Sequence, residues 1–325
     1  MRRWVVVLSI LLLSLSMFGC GSASNKQPEK VKVGIIQWAE HTALDAARQG
    51  FLDTLKKNGY EEGKNLEVDF QNAQADTSTA STIANQFVGQ KVDLILAIAT
   101  PAAQAVASKT SDIPILITAV TDPVAAGLVK SLEKPETNVT GTTDMNPIKE
   151  QLELLKQLVP SAKKVGVVYN TSEKNSEVQV NLAKSLGQEM GLSFVDAVAT
   201  NTNEVLQAAQ SLVGRVDAIY VPTDNTAVAA ITSIVQVGEQ HKIPVVVAEA
   251  GGVDKGALAT IGIDYYRLGQ QTGEMALRVI KGEKPASMAI EQQKDFQLVL
   301  NLKAAQAMGV KIPQELIDKA DRVIK

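Results

Sequence analysis

Beyond residue 30 the chain alternates between short apolar runs and longer segments with apolar residues at helical spacing. VKVGIIQW (31–38) is one such run and predicts a strand. Leu44, Ala47, Phe51, Leu52 and Leu55 follow at helical spacing, and Gly59 ends that helix. The pattern then predicts strands over 65–73, 92–100 and 113–120, with helices over 76–87 and 101–109 between them. Strands that alternate with helices build βαβ units around a mostly parallel sheet. Unbroken apolar runs suit strands covered on both faces.

The order then repeats. Strands over 163–170, 192–200, 215–223 and 243–251 alternate with helices over 173–190, 203–213 and 226–240. KKVGVVYN matches VKVGIIQW, RVDAIYVPT matches KVDLILAIAT, and IPVVVAEAG matches IPILITAVT. Gly34 recurs as Gly166, Asp93 as Asp217 and Ile113 as Ile243, at offsets of 132, 124 and 130 residues. Near-constant offsets over three strands favour a duplicated lobe over the generic likeness of βαβ proteins. The fold class expected is α/β, with two similar doubly wound parallel-sheet lobes. A spare strand (256–264), helix (265–280) and extended segment (287–293) follow the second lobe. Returning them to the first lobe requires a hinge of three crossings, near 143–146, 263–266 and 293–297. The expected division is 31–143 plus 265–293 for the N-terminal lobe, and 144–264 plus 294–325 for the C-terminal lobe.

The first residues follow another pattern. Arg2 and Arg3 precede WVVVLSILLLSLSMF, 15 residues without charge, and then Gly19 and Cys20. A membrane-spanning helix needs about 20 apolar residues. A basic head, a short apolar run and small residues make a secretory signal, expected over 1–19. Cys20 is the only cysteine, so no internal disulfide can form. Its placement resembles the lipobox of bacterial lipoproteins, where the cysteine becomes the first mature residue and carries lipid such as palmitate. Met17 and Phe18 are looser than the usual pattern, and an ordinary cleaved signal with an incidental cysteine is the alternative. The polar stretch that follows fits a tether over 20–30 between anchor and folded body.

The 325 residues are enough for two lobes. Forty-five per cent apolar and 21% charged residues are ordinary for a soluble globular chain. The formal charge of −3 becomes −5 without Arg2 and Arg3. No basic block supports nucleic-acid binding. Walker, GxSxG and HExxH motifs are absent, and two histidines with one cysteine cannot form a histidine- or cysteine-rich metal cluster. No enzyme activity, metal or cofactor is expected.

In an open parallel sheet, ligands bind outside the carboxyl ends of the strands. Two such edges facing each other make a cleft. The first lobe offers Gln37, Trp38, Thr100 and Thr121-Asp122, and the second offers Asn170-Thr171-Ser172, Thr223-Asp224-Asn225 and Glu249. Thr100-Pro101 opens a helix without nearby charge, a start suited to an anion because helix N-termini present unpaired N–H groups. Thr171-Ser172 is a second such start. Asp122, Asp144, Asp224 and Glu249 are candidates for a ligand's ammonium group, with capping or turn formation as the competing role of each. Asp224 is preferred because it ends an apolar strand. Trp38, the only tryptophan after the signal, is either a core residue or a cleft wall that stacks on the ligand. His41 is either on the same rim or in a surface loop, and His241 is a helix C-terminal residue.

The layout is similar to the type I periplasmic binding fold. More narrowly, it resembles the substrate-binding lipoproteins of ABC importers in the tryptophan/tyrosine-type family. The residues that carry the likeness are Ala99-Thr100-Pro101, Thr118 to Pro123, Asn138-Val139-Thr140-Gly141, Tyr169-Asn170 with Ser172-Glu173 and Asn175-Ser176, Pro222 to Asn225, and Gly262 to Tyr266 with Leu268-Gly269 and Gly273. The resemblance implies a monomeric protein outside the membrane. It would capture a small molecule, such as an aromatic or branched apolar amino acid, and deliver it to a permease and its ATPase. A sensor that presents a nucleoside or sugar to a signalling receptor is the alternative, and an exported hydrolase a third reading.

Overall fold

The computed structural model describes residues 30–325. The signal over 1–19, Cys20 and nearly all of the tether lie outside the described residues. The first half runs β1 (Val31–Gln37), α1 (Thr42–Lys57), β2 (Leu66–Asn72), α2 (Thr77–Gln90), β3 (Leu94–Ile98), α3 (Thr100–Ala107), β4 (Ile115–Val120) and β5 (Val139–Thr143). Next come α4 (Ile148–Leu158), β6 (Lys164–Tyr169), α5 (Lys174–Glu189), β7 (Ser193–Val198), α6 (Val205–Gln210), β8 (Ala218–Val221), α7 (Asn225–Ala229), α8 (Ile231–His241), β9 (Val245–Val247), α9 (Ala250–Asp254) and β10 (Ala259–Gly262). The chain ends with α10 (Tyr265–Ile280), β11 (Glu291–Gln292), β12 (Gln297–Asn301), α11 (Leu302–Met308), α12 (Gln314–Lys319) and β13 (Arg322–Ile324).

Two sheets form. One has the order β11-β5-β4-β3-β1-β2 and is parallel throughout. The other has the order β13-β12-β10-β9-β8-β6-β7, with β12 antiparallel to β10. In each sheet the first strand of its lobe sits between the second and third, β1 between β2 and β3, and β6 between β7 and β8. The strand order therefore reverses between β1 and β3 and between β6 and β8, and such reversals open a crevice at the carboxyl ends of the strands. The chain passes between the sheets after β5, after β10 and after β11. Each lobe has its own apolar core, one around Ile35, Phe51, Phe87 and Leu96, the other around Leu155, Val167, Tyr220 and Val246.

The internal repeat extends to packing. A Cβ at Gly34 would lie 2.8 Å from the Phe87 ring, and one at Gly166 would lie 2.5 Å from Leu212. Both glycines let the following chain pack directly on the first strand of its lobe. Lobe two departs from the uniform βα alternation that the sequence predicts. The expected helix over 226–240 is two helices, α7 and α8, broken at Ala230, and the strand over 243–251 shortens to β9 before α9. Strand β5 and helix α4 were not read from the sequence. β5 is VTGTT, with no apolar run, and its buried threonines bond to partners far along the chain. Thr142 Oγ1 meets Thr272 Oγ1 at 2.8 Å, and Thr140 donates to the Met288 carbonyl at 2.9 Å.

Candidate functional site

The crevices of the two sheets face each other. Trp38 directly follows β1, and its backbone N–H donates to Ile98 at the end of β3. Asn170 directly follows β6, and its backbone N–H donates to Asp224 beyond β8 at 2.6 Å. The lobes touch across the cleft. His41 Nε2 lies 3.3 Å from Asn225 Oδ1, a contact between residues 184 apart in sequence.

Two cavities lie along this cleft. A narrow one of about 10 Å³, room for about one water-sized group, is walled by His41, Ala119, Asp144, Asn175, Asp224 and Glu249 among others. A larger one of about 520 Å³ is walled by Trp38, Ala75, Thr77, Pro101 and Gln104 from one lobe and Asn170, Ser172, Glu173 and Thr200 from the other. Three sharp backbone turns line the N-terminal side. Ala75, Ala99 and Ala119 have φ of 56°, 81° and 56° without being glycine. Such backbone costs about 1–3 kcal/mol per residue and clusters where a site has to be shaped.

The second lobe's carboxylates are already engaged in local structure. Asp224 is the N-cap of α7 and accepts from Ala227 N–H (2.7 Å), Asn170 N–H (2.6 Å) and the Ser176 hydroxyl (2.6 Å). Burial, and then the charge of Glu173, push its carboxyl up to about 8. Glu173 accepts from the N–H groups of Asn225 and Thr226, both at 3.1 Å, and from the Asn225 and Asn175 amides. Glu249 caps α9 through the N–H groups of Gly251 and Gly252, at 2.7 and 2.8 Å, and burial raises its carboxyl. Asp144 accepts from Thr121 Oγ1 (3.0 Å) and the Tyr265 hydroxyl (2.6 Å), and burial raises it as well.

The N-terminal wall is the reverse. Helices α1 and α3 have no side-chain cap, so their first N–H groups keep the positive end of the helix dipole uncompensated. Trp38 Nε1 and Thr100 Oγ1 are buried without a partner. His41 Nδ1, on the same lobe, and Asn175 Oδ1, on the opposite one, are also buried without a partner. Buried polar groups are nearly always paired, and four of the five such orphans among the described residues lie along this cleft, Thr260 Oγ1 in β10 being the fifth.

The residues proposed from sequence divide. Trp38, Pro101, Asn170 and Ser172 line the large cavity, and Asp144, Asp224, Asn225 and Glu249 line the small one. Thr100 starts α3 beside them. Gln37 is buried, but its amide is held by Ala39, Asp45 and Arg48 inside its own lobe. Thr121 serves Asp144, and Asp122 caps a turn through Val124 and Ala125. His41 is buried rather than in a surface loop, whereas His241 ends α8 exposed to solvent. Glu173, Asn175 and Tyr265 belong to the motifs that carry the family resemblance but are not among the binding candidates that the strand ends predict. Apart from those motifs, their signal in the sequence is a polar residue beside a helix start or a crossing. Among the described residues no group of His, Cys, Asp and Glu could hold a metal ion.

A family model described as ABC transporter substrate binding protein matches residues 32–324. The tyrosine-binding protein of Clostridioides difficile (strain R20291) is 43% identical over 318 residues, covering 94% of this chain and 92% of that protein. The crystal structure of an ABC domain from Streptococcus pneumonia in complex with L-Trp is 38% identical, with a TM-score of 0.88 over 91% of this chain and 100% of that one. A ligand-free, open substrate-binding protein from Clostridium difficile is 48% identical, yet its TM-score is 0.69, over 90% of this chain and 99% of that one. The structure therefore superposes more closely on the L-Trp complex than on the open form. In this structure the two lobes meet across the cleft at the His41–Asn225 contact. The relatives are substrate-binding proteins rather than enzymes, and the two-lobed architecture is that of type I periplasmic binding proteins. On a match that spans nearly all of the described residues, this chain belongs to the ABC transporter substrate-binding protein family.

Proposed function

We propose that the protein is an extracytoplasmic lipoprotein of an ABC importer that captures an aromatic amino acid between its lobes and delivers it to the permease. One observation carries the ligand class. The N-terminal wall offers donors and uncapped helix starts, and the C-terminal wall holds buried carboxylates. A zwitterion fits such a polarity. Its carboxylate would meet Thr100, Trp38 Nε1 and the start of α3, and its ammonium would face Asp224 and Glu249. The larger cavity beside Trp38 would take the side chain, where an aromatic pair adds about 0.5–1.5 kcal/mol beyond area burial. The names of the relatives support tyrosine and tryptophan as the first candidates.

The remaining roles rest on the sequence. Cys20 would carry the lipid anchor and the polar tether would hold a monomeric body near the permease and its ATPase. Lobe closure on the ligand would present one face to the permease. The test is calorimetry of the protein lacking residues 1–20, stripped of ligand, against the amino acids, a nucleoside and a sugar. Mass spectrometry of what co-purifies is its complement. Micromolar binding of tyrosine or tryptophan, about −8 kcal/mol, is expected. A panel in which no amino acid binds would remove the reading.

A further inference from the structure

The small chamber differs from the rest of the cleft because its unsatisfied groups are acceptors. Asn225 shows why for His41. The Asn225 Nδ2 donates to Glu173, so its Oδ1 is the atom turned to His41 Nε2. An oxygen cannot donate, so Nε2 must carry the imidazole proton, and Nδ1 is left as a bare acceptor. His41 is 7% exposed, and burial holds its pKa down to about 4, which keeps the ring neutral at physiological pH.

Asn175 reaches the same condition from the other lobe. Its Nδ2 faces three acceptors: the Thr223 carbonyl at 2.9 Å, Glu173 at 3.2 Å and the Ser176 hydroxyl at 3.3 Å. Ser176 in turn gives its own proton to Asp224. The amide cannot be flipped without setting its oxygen against oxygens, so Oδ1 is an acceptor, 4% exposed as a residue and without a partner. Both residues wall the same water-sized chamber, together with the carboxylates of Asp144, Asp224 and Glu249.

Resting on the amino-acid reading above, we infer that His41 Nδ1 and Asn175 Oδ1, one from each lobe, receive the ligand's ammonium group. The chamber is the size of an –NH3+ group, and everything unsatisfied around it accepts. The carboxyl groups of Asp144, Asp224 and Glu249 already accept from Ala227, Asn170, Ser176, Gly251, Gly252, Thr121 and Tyr265, whereas His41 Nδ1 and Asn175 Oδ1 have no partner. The neutral acceptors, not Asp224, are then the direct partners. Because they come from opposite lobes, a free primary amine bridges the two lobes, and an otherwise identical acid without one does not.

The test compares L-tyrosine with 3-(4-hydroxyphenyl)propionate, which lacks only the amine, on the wild type and on Asn175→Leu and His41→Phe. The wild type should prefer tyrosine by about 100-fold, and each substitution should compress that preference about tenfold, mainly through tyrosine. Thermal melts establish that the variants are folded. If a variant is not, histidine ¹⁵N spectra of the wild type carry the test: tyrosine, but not the desamino acid, should shift His41 Nδ1, with exposed His241 as the internal reference. An unchanged preference in folded variants, or an Nδ1 signal indifferent to the amine, overturns the inference and leaves an ordered water as the occupant of the chamber. A wild type that binds tyrosine with those results loses only this assignment. A wild type that binds no amino acid loses the parent reading, and this one with it.

Discussion

Asp144 and Tyr265 lie 121 residues apart and are joined by a 2.6 Å hydrogen bond between two of the segments that cross from sheet to sheet. Asp144 stands in the first crossing and Tyr265 in the second. The other oxygen of Asp144 accepts from Thr121 at the end of β4. One carboxylate thus couples two crossings and the N-terminal sheet. Tyr265→Phe keeps the ring and leaves Asp144 Oδ2 buried without a donor. It should destabilise the protein by about 1–3 kcal/mol, read as a lower denaturant midpoint. The Tyr265 hydroxyl holds the Asp144 pKa down against burial, so the loss should shrink at acid pH, where Asp144 takes a proton. A variant as stable as the wild type would show that the bond contributes nothing to the hinge.

His41 sets an acid limit on closure. Burial where the lobes meet at Asn225 lowers it from 6.5 to about 4. Between those values an open or unfolded chain binds a proton that the closed one does not, so closure weakens as pH falls. The full window is worth about 3 kcal/mol. Small-angle scattering should show the lobes opening from pH 6.5 toward 4. His41→Gln, which has no titrating ring, should be flatter over the same range, and equal slopes would assign the opening to other groups.

Asp224 acts with the opposite sign. Its carboxyl is raised from 3.8 to about 8, first by burial and then by Glu173. Over that window the folded protein keeps a proton that the unfolded chain releases, so this group's contribution falls as pH climbs. Asp224→Asn should therefore flatten the decline of stability between pH 5 and 8 in urea titrations. A decline of unchanged slope would place its origin elsewhere.

Trp38 is the only tryptophan among the described residues and lines the larger cavity. Titrating tyrosine or phenylalanine into a protein lacking residues 1–20 should change its emission in step with calorimetric saturation. An emission that stays constant at saturation would move the ligand's side chain away from Trp38.

Helices α1 and α10 meet backbone to backbone. A Cβ at Gly269 would lie 1.9 Å from the carbonyl oxygen of Ala47. Gly269→Ala must push the helices apart, and overpacking of this kind costs about 1–3 kcal/mol. The melting temperature should fall by several degrees. Because α10 starts at the second crossing, ligand affinity should fall too, and an unaffected melting curve would mean that the helices separate freely.

Much of the architecture was legible because hydrophobic period is a local property. Strands β1 and β6, helices α1 and α5, and the repeated Gly34 and Gly166 could each be read from a dozen neighbouring residues. The strand-end rule also pointed to Trp38, Asn170, Asp224 and Glu249 without any coordinates. The hydrophobic pattern failed for β5, where buried threonines replace the apolar run and their partners come from helix α10 and the segment before β11.

What the chain alone determined, then, is two βα lobes and a row of polar residues at their strand ends. Only the tertiary structure decided which polar groups near those ends are already held by partners. Gln37 and Asp122 are held inside their own lobe, and Asp224 caps a helix, whereas His41 and Asn175 keep bare acceptors. A hydrogen bond's partner can lie 54 or 184 residues away, and no local pattern records whether a donor has already been taken.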